Sequence, residues 1–67
     1  MKASIQGSLN QFENNWMFFE HKGKQMSKAE VRAVLEFGLE QGYKSTGELQ
    51  DEDVDRIISK VNNRLAS

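Results

Sequence analysis

Apolar and polar residues alternate with a period of two in the first part of the chain and with the helical period in the rest, and the change falls at Ser27. Over residues 3–9, Ala3, Ile5, Gly7 and Leu9 alternate with Ser4, Gln6 and Ser8, the pattern of a half-buried strand. Residues 10–15 are polar apart from Phe12 and read as a connection. Trp16, Met17, Phe18, Phe19 and Glu20 follow as a dense aromatic run, where a second strand is expected. Lys22-Gly23 then suits a two-residue hairpin loop, because Gly supplies the positive φ of a primed turn. That loop pairs His21 with Lys24 and Glu20 with Gln25, and it sets Phe19 and Met26 on one face.

From Ser27 the signals are helical. Ser27-Lys28-Ala29-Glu30 is a capping-box pattern, and Met26 and Val31 stand where a hydrophobic staple closes. Gly42 fits the left-handed position after a helix end, with Tyr43 folding back on Phe37 or Gly38. The first helix is thus expected over 28–41. Leu49 and Val54 repeat the staple spacing, with Gln50 or Asp51 as the cap and Asp51, Glu52 and Asp53 in a first turn that favours negative charge. Val54, Ile57, Ile58, Val61 and Leu65 form one apolar stripe, so a one-faced second helix is expected over 51–65. The first helix has a wider apolar arc, which includes Val31, Ala33, Val34, Leu35, Phe37, Gly38 and Leu39. An arc that wide must touch two neighbours, the sheet on one side and the second helix on the other, with Gly38 permitting a close crossing.

The expected fold is therefore α+β in a single domain. A small antiparallel sheet of two or three strands over residues 1–26 is followed by two helices packed on one of its faces, in the order β-β-β-α-α. If the first strand does not pair, a hairpin plus two helices remains.

Length changes this picture. The chain has 67 residues, and a chain of about that size buries only roughly 60% of the surface it exposes when unfolded. Small domains often gain stability from disulfides, a metal or a partner subunit. Cys is absent and His21 is the one histidine, so a partner subunit is the support left. No cofactor or metal is expected, and an enzyme is not expected from so few acid–base groups in so short a chain. Nine Lys and Arg against ten Asp and Glu give a net charge of −1, which supplies no bulk positive field for nucleic acid or anionic lipid. No apolar run approaches the ~18 residues of a membrane span, and the first residues lack the apolar segment of a signal peptide. A soluble, cytoplasmic protein is expected.

Three features could carry chemistry. Asp51, Asp53 and Asp55 have the D-x-D-x-D spacing that opens a calcium loop, but Arg56 stands where that loop needs Gly and Asn62 where it needs Glu, so first-turn charge compensation is the better reading. Arg56, Lys60 and Arg64 form a basic row at i, i+4 and i+8 that could follow phosphates, with Asn62 and Asn63 beside it. Four acids in the same helix oppose that use, which leaves a nucleic-acid-associated regulator as the alternative function. His21, Lys22 and Lys24 make a small cationic loop tip suited to a phosphate or a carboxylate.

The aromatic strand says most. If Met17 and Phe19 point with Met26 toward the helices, alternation sends Trp16 and Phe18 to the opposite face. Trp16 and Phe18, with Phe12 and Glu20, are then the candidate partner-binding residues on an open apolar patch. The expected function is a protein-interaction module that binds another protein or itself, as a homodimer. In length, lack of Cys and mild acidity the chain resembles, in type, the accessory proteins of bacteriophages and mobile elements, which include anti-CRISPR inhibitors. That resemblance carries over no individual residue. It implies stoichiometric inhibition of a host complex such as a CRISPR-Cas effector.

Overall fold

The structure, a computed structural model, describes residues 4–66, with side chains described as far as Arg64. The element order is α1 (Ile5–Asn10), α2 (Phe12–Asn15), a 3-10 turn (Trp16–Phe18), β1 (Glu20–His21), β2 (Lys24–Gln25), α3 (Lys28–Glu40), a second 3-10 turn (Thr46–Glu48) and α4 (Asp51–Ala66). Helices and a small antiparallel sheet are both present, as an α+β chain requires. The number and order of strands differ from the sequence expectation.

The expected first strand is a helix. Ser4 is extended and its Oγ accepts from the Gly7 N–H at 3.2 Å, which caps α1. Ile5, Ser8 and Phe12 are buried and Leu9 is half-buried, so the inward face runs at i, i+3, i+4 and i+7. The two-residue alternation of Ile5, Gly7 and Leu9 was coincidental, since Gly7 is exposed and Ser8 takes the buried place. Ala3, the first residue of that alternation, lies outside the described residues. The residues read as a connection form α2, where Phe12 is core and the Arg32 guanidinium lies 5.5 Å from its ring centroid.

The aromatic run also departs from a strand. Residues Trp16–Phe18 make one 3-10 turn, and the chain becomes extended only at Phe19. Without a first strand beside it, this run has no ladder to join, so packing on the helical core decides its shape over intrinsic β preference. The hairpin that follows keeps the expected register, Glu20 opposite Gln25 and His21 opposite Lys24. Its loop residues Lys22 and Gly23 have φ of 54° and 78°, which is the primed turn that matches strand twist. The Met26 N–H donates to the Phe19 carbonyl at 3.2 Å and extends the pairing past the strands.

The boundaries of α3 are set by side chains. The Glu30 N–H donates to Ser27 Oγ and the Ser27 N–H donates to Glu30 Oε1 at 2.8 Å, while buried Met26 and Val31 supply the staple. At the other end Gly42 has φ 82°, and the N–H groups of Gly42 and Tyr43 donate to the carbonyls of Leu39 and Gly38. This is a Schellman ending, and Tyr43 closes it edge-on against Phe37 with ring centroids 6.5 Å apart. The helix stops at Glu40, with Gln41 as its C-cap.

Between α3 and α4 the polar stretch is organised by Glu48, whose Oε2 accepts the N–H groups of Lys44 and Ser45. The Ile5 N–H donates to the Lys44 carbonyl at 3.0 Å, and Ser4 and Ser45 form an antiparallel bridge, so this stretch also holds the start of α1. Gln50 precedes α4, and its carbonyl accepts from the Val54 N–H. Val54 and Ile57 are buried and Ile58 and Val61 half-buried, as the stripe required. The Leu65 side chain lies outside the described set.

The core is centred on α3, whose Val31 and Leu35 are each 1% exposed. Its wide apolar arc does meet two neighbours, but these are α4 and the helical N-terminal segment, in place of α4 and a sheet face. Gly38 serves the second of these: a Cβ there would stand 2.7 Å from Ile5 Cδ1 and 3.3 Å from Leu49 Cδ2.

Candidate protein-interaction groove

The N-terminal segment and α4 both pack on α3, and a groove of about 660 Å³ lies along the seam they leave. Buried Met26 and Val34 belong to its floor, and Phe19, Leu49 and Val54 to its walls. Phe18 stands at its edge with 77% of its surface exposed, the most exposed of the large apolar residues described. Glu20 and Asp51, both exposed carboxylates, also line the groove, together with Asn15.

The pitch of the 3-10 turn explains why Phe18 points outward. Side chains at i and i+3 eclipse in a 3-10 helix, so Trp16 and Phe19 fall on the core side and both pack against it half-buried. Met17 and Phe18 then face out, and Met17 is 39% exposed. The expected division, with Trp16 and Phe18 on one face and Met17 and Phe19 on the other, assumed a strand and is corrected by this turn. Phe12 is likewise corrected from patch to core. Of Trp16, Phe18, Phe12 and Glu20, the structure brings Phe18 and Glu20 to the groove.

Sequence reasoning did not place Asn15, Leu49 or Asp51 there. Leu49 and Val54 were visible as a staple pair, but nothing local shows that the pair also walls a groove against the N-terminal segment. Finding that wall requires knowing that residues 5–18 are helical.

The cationic hairpin tip is tied to α4. His21 Nε2 and Asp55 Oδ1 are 2.7 Å apart, and Lys22 Nζ donates to Asp55 Oδ2 at 2.8 Å. The hydrogen bond from Lys22, then that from His21, holds the Asp55 carboxyl below the usual aspartate range, while Asp55 holds the Lys22 ammonium above the usual lysine range. The carboxylate partner suited to this tip is therefore in the same chain. One side chain of α4 fixes the hairpin, and with it the direction in which β1 carries Glu20 past the groove.

The three aspartates of the D-x-D-x-D run are used separately. Asp51 lies on the groove, Asp53 Oδ1 accepts from Arg56 Nη2 at 2.7 Å, and Asp55 holds the hairpin. They do not converge. Arg56, Lys60 and Arg64 all lie on the exposed side of α4, with Arg56 engaged by Asp53. Among the described residues no helix is long and apolar enough to cross a membrane.

No family model matches the chain, and no curated protein and no solved structure matches it.

Proposed function

We propose that this protein is a non-enzymatic binding module that docks a protein partner in the groove beside Phe18. The observation that carries the reading is Phe18 itself, a large aromatic left 77% exposed at the edge of an apolar groove. Fully burying such a side chain is worth roughly 1.5–3 kcal/mol relative to leaving it in water, and the fold does not use that gain internally. Aromatic anchors seated beside desolvated pockets dominate the energetics of protein interfaces. The likeness in type to phage and mobile-element accessory proteins supports stoichiometric inhibition of a host complex, such as a CRISPR-Cas effector, as the form this binding takes.

Phe18→Ser tests the reading, because it removes the anchor at an exposed position and should leave the melting temperature nearly unchanged. Pull-downs from host cells with wild type and Phe18→Ser should differ by the loss of a stoichiometric protein. A partner retained by Phe18→Ser and released when Arg56, Lys60 and Arg64 are all changed to Glu would overturn it in favour of the basic row.

A further inference from the structure

We infer that the groove accepts a segment in which an apolar anchor residue is flanked by Lys or Arg. This rests on the binding function proposed above and names the chemistry of the partner. The polar groups beside the apolar walls are unequal in sign: Glu20 and Asp51 supply carboxylates, His21, which also lines the groove, is tied to Asp55 at 2.7 Å, and among the described residues no Lys or Arg lines it. Lys22, next to His21 in the chain, is likewise committed to Asp55 at 2.8 Å. The positive end of the α4 dipole lies beside Asp51 and weakens its field. Glu52 in the same exposed first turn adds a further carboxylate, so the local charge stays negative.

A cation from the partner would meet this exposed rim, where opposite charges steer approach and fix register. A groove of about 660 Å³ falls within the range of side-chain and small-ligand pockets and is open enough for a peptide segment.

A second copy of the chain fits less well. Phe18 is followed by Phe19 and Glu20, so a two-fold dimer seating Phe18 of each copy against the other groove would bring Glu20 close to Glu20 and Asp51. Like charges placed together at an interface oppose association. The rim therefore selects a different, basic partner.

Selection from a randomised short-peptide library against the immobilised full chain tests this. Enriched sequences should pair a large apolar residue with adjacent Lys or Arg. An apolar peptide with Lys flanks should bind roughly five- to tenfold tighter than its Glu-flanked counterpart at low salt, with the ratio falling toward one at molar salt. The E20Q/D51N double variant should keep the apolar preference and lose the preference for basic flanks, whereas Phe18→Ser should bind neither peptide. Equal binding of Lys- and Glu-flanked peptides that still depends on Phe18 overturns the charge inference and leaves the binding module standing. A wild-type dimer in sedimentation that Phe18→Ser dissolves, with no peptide enriched, also overturns it, because the occupant is then a second copy. A monomer that enriches nothing overturns both proposals.

Discussion

The two flanks of α3 solve the same packing problem differently. On one side α4 is one regular helix of 16 residues. Val54, Ile57, Ile58 and Val61 keep a constant pitch, so these four turn inward and leave most of the charges outside. On the other side residues 5–19 pass through α1, α2 and a 3-10 turn, with a break at Gln11, where φ is −115° and ψ 32°. Each change of pitch resets which positions face the core. Ile5 and Phe12 remain inside, but at the last change Met17 and Phe18 turn to solvent. A long amphipathic helix exposes a large apolar residue at the margin of its stripe, as α3 does with Leu39 at 46%, whereas a chain of short turns can turn one out almost fully, as with Phe18 at 77%. The surface available for binding therefore arises on the irregular flank, and the regular flank supplies the opposite wall.

The largest effects should come from the residues that join these flanks to α3. Leu35→Ala removes a side chain 1% exposed and Ile5→Ala one that is fully buried, and each should cost about 2–5 kcal/mol in a urea titration. That is enough to unfold much of a marginal domain. The comparison is in the pair: if Leu35→Ala unfolds the protein and Ile5→Ala does not, the irregular flank is an appendage and no wall of a stable groove. Gly38→Ala comes next. The added methyl meets the side-chain tips of Ile5 and Leu49 at 2.7 and 3.3 Å, so Ile5 must turn aside at a cost of about 1–3 kcal/mol, offset by roughly 1 kcal/mol that Ala gains over Gly inside a helix. A Gly38→Ala loss as large as that of Ile5→Ala would mean that the Ile5 side chain cannot turn aside and that α1 itself must move.

The sequence was most legible where a boundary is written in local chemistry. The Ser27–Glu30 box, the staple, the Gly42 ending and the primed Lys22-Gly23 turn each depend on residues a few positions apart, and each stands as expected. The α4 stripe was legible because its regular pitch repeats over several turns. Residues 5–18 were not, because α1 spans fewer than two turns and Gly7 and Ser8 disguise its inward face. Ser4, its cap, fits a strand's polar face equally well by alternation alone. A strand at α1 would give Trp16–Phe18 a partner that the described residues do not contain, and it puts an alternation of two in place of a repeat of three. Phe18 was still placed outside, since both periods send it away from Phe19. Trp16 and Met17 exchanged sides, because only the 3-10 pitch pairs Trp16 with Phe19.

Caps should separate the flanks on a smaller scale. Ser27→Ala removes one bond of a reciprocal box on a helix of 13 residues, and should cost about 1–2 kcal/mol. Ser4→Ala removes one bond on a helix of six residues, and should cost about 0.5–1 kcal/mol. Equal losses in thermal melts would show that the box adds nothing beyond a plain cap. Gly7→Ala should act in the other direction. Gly7 is an exposed helical residue whose added methyl would meet Ser4 at 3.5 Å, an ordinary contact. Reduced freedom of the unfolded chain should then stabilise the protein by about 0.4–1 kcal/mol. This contrasts with Gly38, where the same methyl must displace the Ile5 side chain.

The smallest effect expected is electrostatic, and it tests whether α4 holds the hairpin. Asp55 is more acidic in the folded chain than when unfolded, because Lys22 and then His21 hydrogen-bond its carboxylate. The stability this link supplies is therefore present above the ordinary aspartate range and is lost as pH falls through the lower, folded-state value. Lys22, shifted upward by the same contact, gives the mirror case: its contribution is present at neutral pH and is lost as pH rises through its elevated value. Both side chains are about half exposed, so solvent screens the pair and the change should be slight. Asp55→Asn removes the charge with little change of shape. Its melting temperature should lie below that of wild type at neutral pH, and the gap should narrow toward strongly acidic pH, toward strongly alkaline pH and in high salt. A gap independent of pH would mean that Asp55 holds the hairpin by packing alone, and the orientation of Glu20 at the groove would then owe nothing to this charge.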